Sequence, residues 1–174
     1  MHQTPPDHIE IIARALIIRS GSILLCENLK NGYFYLPGGH VEPGESSPDA
    51  CAREILEELK LCARIGPCRL IAEQRFEQNG KPRHEISLVF HVEHLTRQPG
   101  KPCPDSGPMT DQDDARGGAE TLIPDDLEIR SAEDHIGFVW VGIGEIGSID
   151  LRPWVIRDWI TETNREAAVR FVSG

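Results

Sequence analysis

Residues 9–19, IEIIARALIIR, are apolar on both alternating faces. That pattern predicts a strand covered on both sides. Ser20-Gly21 signals a turn, and residues 23–27, ILLCE, predict a second strand. Asn31-Gly32 turns the chain again. Residues 33–36, YFYL, predict a short strand, stopped where Pro37 removes a ladder donor. The period then changes. From Pro48 to Leu59 the apolar residues Ala52, Ile55, Leu56 and Leu59 fall at i, i+3, i+4 and i+7, the stripe of a helix. Ser46 or Ser47 supplies the cap, and Pro48 suits the first turn.

Alternation returns at residues 68–77 and 84–93, which predict two strands joined around Asn79-Gly80. Residues 99–121, PGKPCPDSGPMTDQDDARGGAET, are rich in Pro, Gly, Asp and Ser. They hold too little apolar surface to fold alone and predict a flexible insertion. FVWV at 138–141 predicts a further strand. Pro153 opens a closing helix, with Trp154, Val155, Trp159 and Ile160 at packing spacings. Strands on both sides of a helix, then a final helix, predict one α/β domain over residues 1–174 with a mixed sheet.

Composition narrows the function. The chain has 174 residues, 39% of them hydrophobic and 26% charged, a globular balance that supports one real core. The net charge of −10 argues against a nucleic-acid scaffold or an anionic membrane surface. No run of about 18 apolar residues offers a membrane span. The start, MHQTPPDHIE, has no charged region followed by an apolar stretch, so no signal peptide is expected and the location reads as cytoplasmic. The five cysteines form no C-x-x-C pair and are expected as reduced thiols.

Chemistry concentrates in residues 38–61, GGHVEPGESSPDACAREILEELKL. Glu54, Glu57 and Glu58 crowd onto about one helical turn. Residues at i, i+3 and i+4 share a face, with Cβ atoms about 5–6 Å apart, and like charges there repel. A hard divalent cation reverses the balance, because Mg²⁺ takes oxygen ligands and keeps waters and phosphate oxygens in its shell. A solvated acidic face is the bland alternative. The surroundings weigh against it. Gly39, Glu45, Arg53, Glu54, Ile55, Glu57 and Glu58 fit G-x5-E-x7-R-E-U-x-E-E, where U is a bulky aliphatic residue. The six fixed polar or Gly positions would coincide by chance in roughly 10⁻⁵ of chains this long.

This stretch resembles the Nudix hydrolase family, whose signature continues x-G-U where this chain has Leu59, Lys60 and Leu61. Lys60 stands where the family has glycine, a departure that bears on the helix end and leaves every expected ligand in place. The resemblance implies a Nudix-like α/β/α sandwich. It implies a Mg²⁺ or Mn²⁺ site on Gly38 (through its carbonyl), Glu54, Glu57 and Glu58. It also implies that Glu54 serves as ligand or general base, with Arg53 and Glu45 paired to hold the catalytic glutamates. The activity implied is hydrolysis of a pyrophosphate bond in a nucleoside diphosphate linked to another moiety. An ADP-ribose-like compound and an intact or oxidised nucleoside triphosphate are equally open as that small-molecule substrate. A non-catalytic, nucleotide-sensing domain that regulates a partner is the alternative. Many family members are dimers, so a homodimer is compatible.

Family members often add a carboxylate from outside the motif. Glu85 is the candidate here, because it begins a strand that could border the helix. Asp113, Asp114, Glu120, Glu133 and Asp134 read by default as solvated surface. His40 and His84 could touch phosphate, though lone histidines are more often structural. Tyr33, Phe34, Phe76 and Trp140 could stack on a base but read first as core.

Overall fold

In the computed structural model, residues 6, 8–78, 80–97, 120–124, 127, 129, 135–162 and 170–173 are described. The elements run β1 (Glu10–Leu16), β2 (Ile18–Arg19), β3 (Ser22–Asn28), β4 (Phe34–Tyr35), β5 (Gly38–His40), α1 (Ser47–Leu59), β6 (Cys62–Gln78) and β7 (Lys81–Thr96). After them come β8 (Ile136–Gly142), a 3₁₀ segment at Ile143–Ser148, α2 (Trp154–Thr161) and β9 (Arg170–Ser173). One sheet has the order β5-β1-β7-β6-β9. It is mixed: β1–β7 and β6–β9 are parallel, β1–β5 and β6–β7 antiparallel. In the second sheet β3 is central. It pairs with β8 on one side and with β2 and β4 on the other, all antiparallel.

Alternation sorts each strand's side chains onto two faces. Ala13, Ala15, Ile17, Leu24, Phe90 and Val92 pack with Ala50, Cys51, Ile55 and Leu59 of α1. Leu16, Ile18, Ile23, Leu25, Leu70 and Val89 pack with Ile156, Trp159 and Ile160 of α2. Both sheets feed both clusters, so the helices cover opposite faces and the fold is an α/β/α sandwich. Each Leu or Ile removed from water in these clusters contributes about 1.5–3 kcal/mol.

Several elements differ from the sequence reading. The apolar run 9–19 is broken at Ile17 into β1 and β2 rather than forming one strand. The β6–β7 hairpin is longer than expected at both ends. Leu56 is 45% exposed and lies off the buried stripe, which Ala50, Cys51, Ile55 and Leu59 fill instead. The stripe drawn from spacing was wider than the face that the sheet covers. Trp154 is likewise exposed, with Ile156 buried in its place, and α2 does not close the chain because β9 follows it. Cys26, Cys51 and Cys68 are free thiols, whereas Cys62 is disulfide-bonded, against the expectation of reduced thiols throughout.

The insertion reading needs a smaller boundary. Residues 99–119 lie outside the described residues. Glu120 and Thr121, the last two residues of that segment, belong to the packed body. The Glu120 carboxylate accepts from the Ser20 and Gly21 amides at 2.5 and 3.1 Å. Thr121 is buried. Its hydroxyl donates to the Val92 carbonyl at 2.7 Å and accepts from the Ile18 amide at 3.0 Å. Thr121→Val keeps the shape and strands both buried groups, so it should cost about 2 kcal/mol, while Thr121→Ser should cost much less. Urea titration of the two variants checks this, and equal stabilities would contradict it.

Candidate active site

The carboxylates ride on α1, whose ends are set by local chemistry. Ser46 is the N-cap, its hydroxyl accepting from the Asp49 amide at 3.3 Å, and Pro48 lies in the first turn. The helix stops at Lys60, which is left-handed at φ 56° and ψ 34°, with its amide donating to the Leu56 carbonyl. This is the turn expected from the signature, made with lysine where glycine would be unstrained. Lys60→Gly should therefore be neutral or stabilise by up to about 1 kcal/mol, with turnover unchanged. A denaturant titration showing clear destabilisation would contradict that reading of the cap.

Facing α1 is β5, a strand missed in the sequence because GGH has no strand propensity. It forms the sheet edge beside β1. Ala15 donates to Pro37 and Val41 to Ile11, so the hydrogen-bonded pairs are Ala15–Pro37 and Ile11–Val41. Gly38, opposite Arg14, and His40, opposite Ile12, are thus non-hydrogen-bonded pairs. Their amides and carbonyls point away from β1, off the free edge of the sheet. The Gly38 amide donates to Glu58 Oε2 at 3.3 Å. The Gly38 carbonyl accepts from Arg14 Nη1 at 3.3 Å, and the His40 carbonyl accepts from Arg53 Nη2 at 2.9 Å. Two glycines are needed for this close approach. A Cβ at Gly38 would lie 2.1 Å from the Ala13 carbonyl oxygen, and one at Gly39 would lie 2.4 Å from the Glu54 carboxylate.

Arg53 ties the cluster together. Its Nε and Nη2 meet both oxygens of Glu45 at 2.9 and 3.1 Å, a bidentate pair. Its Nη1 reaches Glu54 Oε1 at 2.8 Å and Glu57 Oε2 at 3.4 Å. Glu45 is itself fixed by the Glu42 amide at 3.2 Å. The Arg53 bond holds Glu45 below the usual carboxylate range, and Glu45 in turn raises Arg53 above its ordinary value. One guanidinium thereby joins the loop after β5 to three glutamates.

Glu58 is buried at 7% exposure, whereas the Glu57 side chain is 58% exposed. Burial pushes the Cys51 thiol up to about 12, and the charges of Glu54 and Glu58 add to the shift. Glu85 lies on β7, also buried, and accepts from the Ser87 hydroxyl at 2.5 Å. Its neighbour on β1 is Glu10, which bonds His40 at 3.1 Å and pairs with Arg83. Glu85 therefore sits with Glu10 and Ser87, one strand from β5, rather than within the Arg53 cluster.

The remaining candidates divide clearly. His84 is taken by Glu73 at 2.8 Å. Phe34 packs on the α2 side of the core and Trp140 on the α1 side. Tyr33 lies under Arg152 at 4.6 Å, and Phe76 is exposed on the hairpin. Asp113, Asp114, Glu133 and Asp134 lie outside the described residues.

The donors fit a hard divalent cation by chemistry: three carboxylates and a peptide carbonyl, all oxygen. Among the described residues, no three His, Cys, Asp or Glu side chains already converge on one point. Arg53 holds one oxygen each of Glu54 and Glu57, and each carboxylate keeps a second. Glu57 is the most exposed of the three and, among the described residues, is held only by its 3.4 Å contact with Arg53.

A NUDIX domain profile matches residues 10–154, and the chain belongs to that family. It is 38% identical over 80 residues to a CTP pyrophosphohydrolase of Escherichia coli K12, covering 44% of this chain and 57% of that protein. It is 34% identical over 86 residues to an ADP-ribose pyrophosphatase of Methanocaldococcus jannaschii, covering 48% of this chain and 50% of that protein. The chain thus spans about half the length of the curated relatives it matches. The fold is shared with the MutT protein of Methanosarcina mazei Go1, at a TM-score of 0.61 and 24% identity over 95% of this chain and 98% of the other. Among the described residues, no helix is long and apolar enough to cross a membrane.

Proposed function

We propose that the chain is a Mg²⁺-dependent pyrophosphohydrolase, with Mn²⁺ as a substitute, acting on a nucleoside diphosphate linked to another group. The observation that carries this reading is the Arg53 hub, which gathers Glu45, Glu54 and Glu57 beside the Gly38–Gly39 edge. A purely solvated acidic face would need no such hub. Glu54, Glu57, Glu58 and the Gly38 carbonyl would hold the cation. Bound there, it supplies charge neutralisation for the diphosphate and a more acidic water.

The chain's own residues do the rest. Glu54 serves as a further ligand or as the base: Arg53 fixes its Oε1, leaving Oε2 for the cation or for a proton from the attacking water. Glu45 grips Arg53 through both its oxygens while the Glu42 amide holds Glu45, and so keeps the guanidinium from swinging off Glu54. Glu85 stays the candidate carboxylate from outside the helix, but it lies with Glu10 and Ser87 rather than among the α1 glutamates, and no step depends on it. Water attacks phosphorus, the phosphoanhydride bond breaks, and the leaving phosphate carries off the electron pair.

The named relatives make CTP and ADP-ribose the first substrates to try, and a cytoplasmic setting with one chain or a homodimer belongs to the same proposal. Hydrolysis of a panel containing CTP, other nucleoside triphosphates, 8-oxo-dGTP and ADP-ribose, with Mg²⁺ and with EDTA, tests the proposal. Metal-dependent cleavage of at least one member is expected. Binding of a nucleotide without cleavage of any would favour the sensing domain instead.

A further inference from the structure

Arg14 stands in the middle of an apolar strand, and neither the family signature nor the hydrolytic scheme uses it. We propose that it is a positioning residue that aims the Gly38 carbonyl at the divalent cation, an inference that rests on the metal site proposed above.

The strand pairing explains why such a residue is needed. Gly38 has no side chain and sits at φ +127° on an edge strand, in a non-hydrogen-bonded pair. The β ladder therefore leaves its peptide groups unheld. Side chains hold them instead: Glu58 takes the amide, and Arg14 takes the carbonyl. The same Arg14 Nη1 also donates to the Leu36 carbonyl at 3.2 Å. One nitrogen thus staples residues 36 and 38, on either side of Pro37. The guanidinium lies 5.7 Å from the centre of the Tyr35 ring, which limits its movement. Arg14 Nε is buried with no hydrogen-bond partner. An arginine kept for stability alone would be expected to satisfy that donor, so the arrangement favours the position of Nη1 over full pairing.

A carbonyl oxygen has two lone pairs. Arg14 Nη1 uses one, and a cation would take the other. Two effects then oppose each other. Fixing the carbonyl favours a cation with strict octahedral demands. The nearby positive charge of Arg14 repels it. Hydrogen-bonding partners of metal ligands typically change affinity by about 10–100-fold when removed, so we take positioning to dominate. The sign of the change decides.

The test is titration of Mn²⁺ alone into the purified chain, followed by electron paramagnetic resonance of free Mn²⁺. Arg14→Met and Arg14→Gln both remove the charge, and Arg14→Lys keeps a cationic donor. Each is first checked by its melting temperature. Either neutral variant that folds should bind Mn²⁺ about tenfold more weakly, and Arg14→Lys should recover most of that loss. In steady-state assays the half-saturating Mg²⁺ concentration should rise in parallel. Unchanged or tighter Mn²⁺ binding in a folded neutral variant would overturn the proposal. So would a higher KM for substrate with unchanged Mn²⁺ affinity, which would place Arg14 on the substrate. Collapse of both neutral variants would make Arg14 a folding determinant and also overturn it. If the wild-type chain itself binds no Mn²⁺, the metal-site reading fails rather than this inference alone.

Discussion

Glu57→Gln and Glu58→Gln should each lower kcat by about two orders of magnitude or more. Each swap conserves volume and removes one anionic oxygen donor, so stabilisation of the charge developing on phosphorus is lost. The two differ in their surroundings. Glu57 is largely exposed and bonded only weakly to Arg53 at 3.4 Å, so its replacement should leave apo stability unchanged. Glu58 is buried against the Gly38 amide, and a glutamine oxygen can still accept that bond. Relief of carboxylate repulsion offsets what is lost, so the apo melting temperature should hold in both. Near-normal kcat in both variants would contradict the metal-site reading. A fall of many degrees in the apo melting temperature would show a structural role instead.

Gly38→Ala should be the most damaging single methyl in the chain's active region. The new Cβ would lie 2.1 Å from the Ala13 carbonyl oxygen, a backbone atom with no freedom to retreat. The φ of +127° adds strain for any side-chain-bearing residue. Together these should cost about 3 kcal/mol or more, or a fall of about 6–12 °C in melting temperature. Activity should fall further than stability, because the same residue presents its amide to Glu58 and its carbonyl to Arg14. Gly44→Ala is the control. Its φ is +88° but nothing lies within 4 Å of the new methyl, so only the backbone strain of about 1 kcal/mol remains. Equal melting temperatures for the two variants would contradict the account.

These effects separate what the sequence made legible from what it did not. The Glu54–Glu57–Glu58 face follows from helical spacing, the cap from Ser46 or Ser47 before Pro48, and the helix end at Lys60 from the family signature. The Glu45–Arg53 pair was implied by the family resemblance, and the side chains meet in that way. Glycine pairs carry no strand signal, so β5 became visible only through its pairing with β1. Arg14 was hidden for a different reason. In IIARALIIR the alternation reads as two-sided burial, and a single arginine looks like an interruption rather than an anchor. An arginine inside such a run was the available clue, since that residue is rarely buried without a task. Thr121 was lost at the end of a polar segment, where composition outweighed the one residue that packs.

The central claim is that the glutamates of α1 act through a divalent cation on a phosphoanhydride. Turnover of the best substrate, measured against Mg²⁺ concentration after treatment with EDTA, tests it most directly. The account predicts no turnover without added metal and a saturable rise on adding it. Undiminished turnover in EDTA would contradict it.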